Sequence, residues 1–180
     1  KYKDNLLKAG LSEEAFNTQA LTANLAEAAG VAPGKVMADI AKSSKAASKY
    51  LGGNSKALAK AAVEAAKLGM ELSDMVSIAD GLLDIESSIE AEFEASVMLG
   101  KQINMDLARQ LALQGDIEGA TKAVLDQVGS IHDFNNMDYL SRKKLAEATG
   151  MSVEELQKSL IIQDKMGDLT SDELATMNSL

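Results

Sequence analysis

Cysteine is absent from the chain. That excludes a disulfide framework and any thiolate-held metal site. Only one proline, Pro33, stands among 180 residues. Runs alternating in Val, Ile, Thr or Tyr, which a half-buried strand requires, are also missing. Together these gaps argue against a β-rich or Pro-punctuated architecture. Aromatic residues make up 3% of the chain and tryptophan is absent, so few large anchors exist for a core or a binding pocket. A single histidine, His132, leaves little for acid–base or covalent catalysis. No apolar run reaches the roughly 18 residues of a membrane span, and no signal-peptide pattern opens the chain.

What is present favours helix. The chain holds 28 alanines and nine methionines. Alanine is the best intrinsic helix former, and its small side chain lets helices approach closely. Each buried alanine removes little apolar area from water, so stability should come from many shallow contacts. Methionine fills the irregular gaps that remain. Net charge is −9 and unevenly placed. Residues 1–70 balance at +4, residues 71–128 at −9 and residues 129–180 at −4. An acidic chain is a poor ligand for a phosphate backbone. A basic end and an acidic middle can attract each other, within one chain or between chains.

Helix boundaries are legible. Ser12 caps a helix to about Ala29, stopped by Gly30. Pro33 opens a helix to about Ser44, a further stretch ends at Leu51, and Gly52-Gly53-Asn54 forms a turn. Ser55 caps a helix to Leu68, before Gly69. Ser73 caps the longest helix, to about Leu99. Asn104 and Asp116 cap helices ended by Gly115 and Gly129. Residues 130–137 read as a loop, and a helix from about Asp138 ends at Gly150. Ser152 with Glu155 and Thr170 with Glu173 form capping boxes. The expectation is all-α: about eight to ten short-to-medium helices joined by Gly and cap turns, with one long central helix over about 73–99. Three segments follow from composition: a mildly basic one over 1–53, an acidic one over 54–129 and a C-terminal one over 130–180.

The long helix carries a seam. Met75, Ile78, Leu82, Ile85 and Ile89 follow heptad spacing, and Phe93 and Val97 continue in four-residue steps. This predicts a helix-packing or oligomer seam.

Other constellations fail at named positions. "LAEAAGVAPGKV" at 25–36 has the outline of a helix-turn-helix corner. Its second helix offers Lys35, Asp39 and Lys42 rather than the Arg or Gln that reads bases. The second such corner, at 145–151, is followed by Glu154 and Glu155, which repel phosphate. The acids Asp80, Asp84, Glu86, Glu90, Glu92 and Glu94 lack the Glu-x-x-His pairs of a helical di-iron site. Asp133, Asn135 and Asp138 start like a calcium loop, but Asp138 and Lys144 stand where Gly and Glu are required. "SRKK" at 141–144 matches Ser-x-x-Lys without its partner motifs. No phosphate-binding loop is present. The expectation is therefore no catalytic, cofactor or metal site, and no enzyme.

The ordered series "LGMELSDM", "LLDIESSIEAEFEASVMLGKQIN", "ARQLALQGDIEGA" and "FNNMDYLSRKKLAEATGMSVEEL" resembles tail tape measure proteins of tailed bacteriophages. The upstream "LAEAAGVAPGKVMADIAKSSKAASKY" fits the same context, and the likeness covers well over half of the chain. It implies a structural protein of the virion, assembled in the host cytoplasm. Such proteins are long helical chains in the lumen of the tail tube. Their length sets tail length, they are held at the tube or baseplate hub in several copies, and they leave at infection. The implied partners are further copies of the chain, the tail tube and baseplate hub proteins. No catalytic residue is carried over. Lys1 in place of Met and a final "TSDELATMNSL" without a stop signal fit a segment of a longer protein. The alternatives are an intracellular helical interaction or scaffold module and, behind it, a helix-turn-helix DNA-binding regulator.

Overall fold

A computed structural model describes residues 13–166. Among them are ten helices and no strand, so the chain is all-α. In chain order they are α1 (Glu13–Ala29), α2 (Pro33–Leu51), α3 (Ser55–Lys67), α4 (Leu72–Leu83) and α5 (Ile85–Leu99), then α6 (Asp106–Leu113), α7 (Ile117–Val128), α8 (Ile131–Asn135), α9 (Tyr139–Thr149) and α10 (Val153–Met166). The expected caps at Ser12 and at Thr170 with Glu173 lie outside the described residues.

Helix α4 is the centre. It packs on α2, α3, α6 and α7, and it buries Leu72, Met75, Val76, Ile78, Ala79 and Leu82. Helices α1, α2 and α3 pack on one another, α6 pairs with α7, and α5 pairs with α9. One buried cluster runs from Ala26 to Leu160 and draws on residues of all three compositional segments. Fifteen of the buried apolar residues in the described part are alanines. The core is therefore built from close helix approach more than from large side chains, as the composition implies. Helix α3 shows this most clearly, with Ala59, Ala61, Ala62, Ala65 and Ala66 all buried.

The expected long helix over 73–99 is not there. It is broken at Asp84, whose ψ of 76° leaves the helical region. Neither Pro nor a side-chain cap marks the break. Tertiary packing sets it instead. At Ile78, α4 runs against the α9–α10 corner so closely that a Cβ on Gly150 would sit 3.4 Å from the Ile78 Cα. The bend turns α5 back onto α9, and Ala95 and Ser88 of α5 are buried. A straight helix would carry residues 85–99 away from the fold and forfeit those contacts, which outweighs helix propensity.

Smaller departures have local causes. Helix α2 is continuous over Pro33–Leu51. Asn54, not Ser55, caps α3, its Oδ1 accepting from the amides of Lys56 and Ala57 at 3.1 Å. Helix α4 opens at Leu72, before Ser73, and the Asp74 carboxylate accepts the Glu71 amide at 2.8 Å. Residues 131–135, expected in a loop, form α8. Ser130 and Asp133 cap it reciprocally, with the Asp133 amide donating to Ser130 Oγ at 3.1 Å. Gly115 must be glycine. Its φ is +81°, and a Cβ there would lie 2.9 Å from the Tyr50 carbonyl oxygen.

Candidate interaction surface

The break at Asp84 divides the heptad residues. Met75, Ile78 and Leu82 are buried in the core. Ile85, Ile89 and Phe93 are exposed, Phe93 by 67%. Val97, four residues on, is exposed to the same degree, and Met98 beside it by 40%. Four-residue steps keep Ile85, Ile89, Phe93 and Val97 in one row along α5. The structure thus joins the second half of the seam to Val97 as a surface ridge and separates it from the first half. A shallow depression beside Phe93 and Val97 continues over Ser96, Gly100 and Lys101 at the C-terminal end of α5. Contiguous exposed apolar residues mark docking sites more often than scattered ones do.

The ridge is acidic along one flank. Ion pairs among the described residues engage Asp80 with Lys49, Glu92 with Arg109 and Glu94 with Lys144. They leave Asp84, Glu86 and Glu90 without a cationic partner.

A buried polar cluster fixes the orientation of α5. Arg109, on α6, is 6% exposed. Its Nη1 donates to Ser88 Oγ at 2.9 Å, and its Nη2 donates to both Glu92 carboxylate oxygens at 3.1 Å and to Asp106 Oδ1 at 2.7 Å. Glu92 Oε1 also accepts the Met105 amide, at the start of α6. One carboxylate therefore binds a guanidinium and a helix-opening N–H. The Ile103 amide donates to Ser96 Oγ at 2.9 Å and closes the same junction. Sequence pattern did not single out this cluster. Its visible trace is a lone Arg in an acidic stretch, three residues after Asp106.

The helix-turn-helix outline leads to a structural junction. Asp39 is buried, and its Oδ2 accepts the Leu72 amide at 2.9 Å while Ser43 donates to its Oδ1 at 3.0 Å. The carboxylate faces inward and caps α4 from α2. Lys42 bonds to Glu71 at 3.1 Å. Asp39 and Lys42, two of the three polar residues named above for this helix, are thus engaged with α4 and its approach. Burial raises the Asp39 pKa above its ordinary 3.8, against the lowering effect of the bonds from Leu72 and Ser43. The sign follows from linkage. With the folded pKa raised, the contribution of Asp39 is present in full below the unfolded value and is lost as pH rises through the folded one. Asp39→Asn keeps an acceptor for the Leu72 amide and removes the ionisable proton. Its stability relative to wild type should increase from pH 3 to pH 7 in urea titrations. Asp39→Ala orphans the Leu72 N–H and should lose about 1–3 kcal/mol.

Asp80 illustrates the opposite balance. Burial pushes its carboxyl up, but hydrogen bonds from Lys49 at 3.0 Å and Tyr50 at 2.5 Å outweigh that and lower it. Among the described residues, no three His, Asp or Glu side chains gather as a metal-ligand set. No described helix is long and apolar enough to cross a membrane. Asp133 and Asp138, the candidate calcium-loop acids, serve as helix caps: Asp133 for α8 and Asp138 for α9, where it accepts the Ser141 amide at 2.8 Å.

Comparisons with protein-family models, with curated proteins and with solved structures return no match.

Proposed function

We propose that this chain is a structural segment of a tape measure protein, held in a bacteriophage tail tube or baseplate hub and released at infection. The ordered series of sequence segments that resembles that family carries the reading. In the fold those segments are the α3–α4 corner, the end of α4 with α5, the α6–α7 hairpin, and α8 to the start of α10. They are consecutive elements around one core, so the likeness follows a folding unit and not scattered helices. Alanine-rich packing without disulfides supports the reading too, because a chain that leaves through a narrow tube must be unpacked without breaking covalent links. The role proposed is not enzymatic. Its partners are tail proteins and further copies of the chain.

The competing reading is an intracellular interaction or scaffold module, and the exposed ridge on α5 favours it as much as it favours a tail protein. Purified virions distinguish the two. Tail preparations digested with trypsin yield peptides of this chain under the tail reading, and particles that have ejected their DNA have lost them. Peptides confined to the infected-cell lysate would remove the tail reading and leave the module.

A further inference from the structure

The acidic ridge on α5 has a counterpart on the same molecule. The outward face of α2 presents Lys35, Ala38, Ala41 and Lys45, all exposed. Gly34 opens that face, with nothing within 4 Å of where a Cβ would stand. Lys42 and Lys49, on the same face, are engaged by Glu71 and Asp80, yet keep 69% and 55% of their side chains exposed. Lys35 and Lys45 have no acidic partner among the described residues. One helix thus offers bulky apolar side chains beside uncompensated carboxylates. Another offers small side chains between uncompensated ammonium groups.

We infer that the α5 ridge of one copy docks on the α2 face of a second copy. Within one molecule the two cannot meet, because α2 is held against α1, α3 and α4 while α5 is held against α4 and α9. Parallel ridge-to-ridge pairing of two α5 helices would set Glu86 and Glu90 of one copy against the same residues of the other, and like charges at an interface are penalised. The α2 face relieves that charge. Its alanines leave room for Ile89 and Phe93 to approach the helix backbone, as small residues do where helices pack closely. Lengths agree: 19 residues of α2 span about 28 Å and 15 residues of α5 about 22 Å. Because the two faces differ, the contact is heterologous and repeats from copy to copy, closing a ring or growing a filament. This stands on surface shape and charge, and does not depend on the tail reading.

Sedimentation of the 180-residue chain over a range of concentrations tests it. The average mass rises with concentration in dilute buffer and returns to that of the monomer in high salt, since exposed charges are screened. Lys35→Glu with Lys45→Glu, and separately Glu86→Lys with Glu90→Lys, each weaken self-association by at least about tenfold. Both sets are exposed, so the helical circular dichroism is unchanged. An equimolar mixture of the two variants associates again, because each reversed face now fits the other variant. A chain that stays monomeric throughout overturns the inference. So does association that neither reversal disturbs, or loss on reversing α5 alone, or a mixture that stays apart.

Discussion

Arg109→Ala should destabilise the fold by about 3–5 kcal/mol in urea or thermal unfolding. The size follows from what is left behind. Glu92 keeps only 16% of its side chain exposed, so removing the guanidinium strands a carboxylate with little solvent. The Met105 amide still binds it, but one neutral donor does not replace a charged guanidinium. Asp106 is 78% exposed and forms its contact at the rim, so Asp106→Asn should change stability by less than about 1 kcal/mol. The Lys42–Glu71 pair, exposed on both sides, belongs with Asp106. A double replacement, Arg109→Met with Glu92→Met, should restore part of the loss, since an apolar pair removes the stranded charge. If Arg109→Ala costs no more than Asp106→Asn, the cluster is not what joins α5 to α6.

Phe134→Ala should have a comparable effect, about 3–5 kcal/mol, while Phe93→Ala stays within about 0.5 kcal/mol. Phe134 is fully buried and Phe93 is 67% exposed. Phe134 stands on the five-residue helix α8, which packs on α10, and the Arg142 guanidinium lies 6.0 Å from its ring centre. In an alanine-rich core few neighbours can move in to fill an aromatic-sized void, so most of the cavity term remains. Equal effects at the two phenylalanines would mean that α8 does not close the core.

These two residues also show how far the sequence could be read. Capping residues and helix-stopping glycines are local, so the all-α class and many helix boundaries were visible. Asp116, Asp138 and Gly150 act where their chemistry puts them. The heptad spacing was equally visible, but spacing alone cannot report a bend that brings α5 against α9, far along the chain. Hence Met75 and Phe93, alike on the pattern, end in the core and at the surface. Residues 130–137 looked like a loop because their polar residues outnumber the apolar ones. The Ser130–Asp133 box holds one short turn there, enough to turn Phe134 inward. Arg109 and Asp39 escaped notice as structural residues for a similar reason. A buried charge is justified only by partners on other helices, and these lie 17 to 33 residues away.

The tail reading meets its most direct test in tail length. Helical residues inserted in frame into the reading frame that encodes this chain, outside residues 13–166, should lengthen the tails seen by electron microscopy by about 1.5 Å per residue. Tails of unchanged length on viable particles would contradict the proposal that this chain belongs to a tape measure.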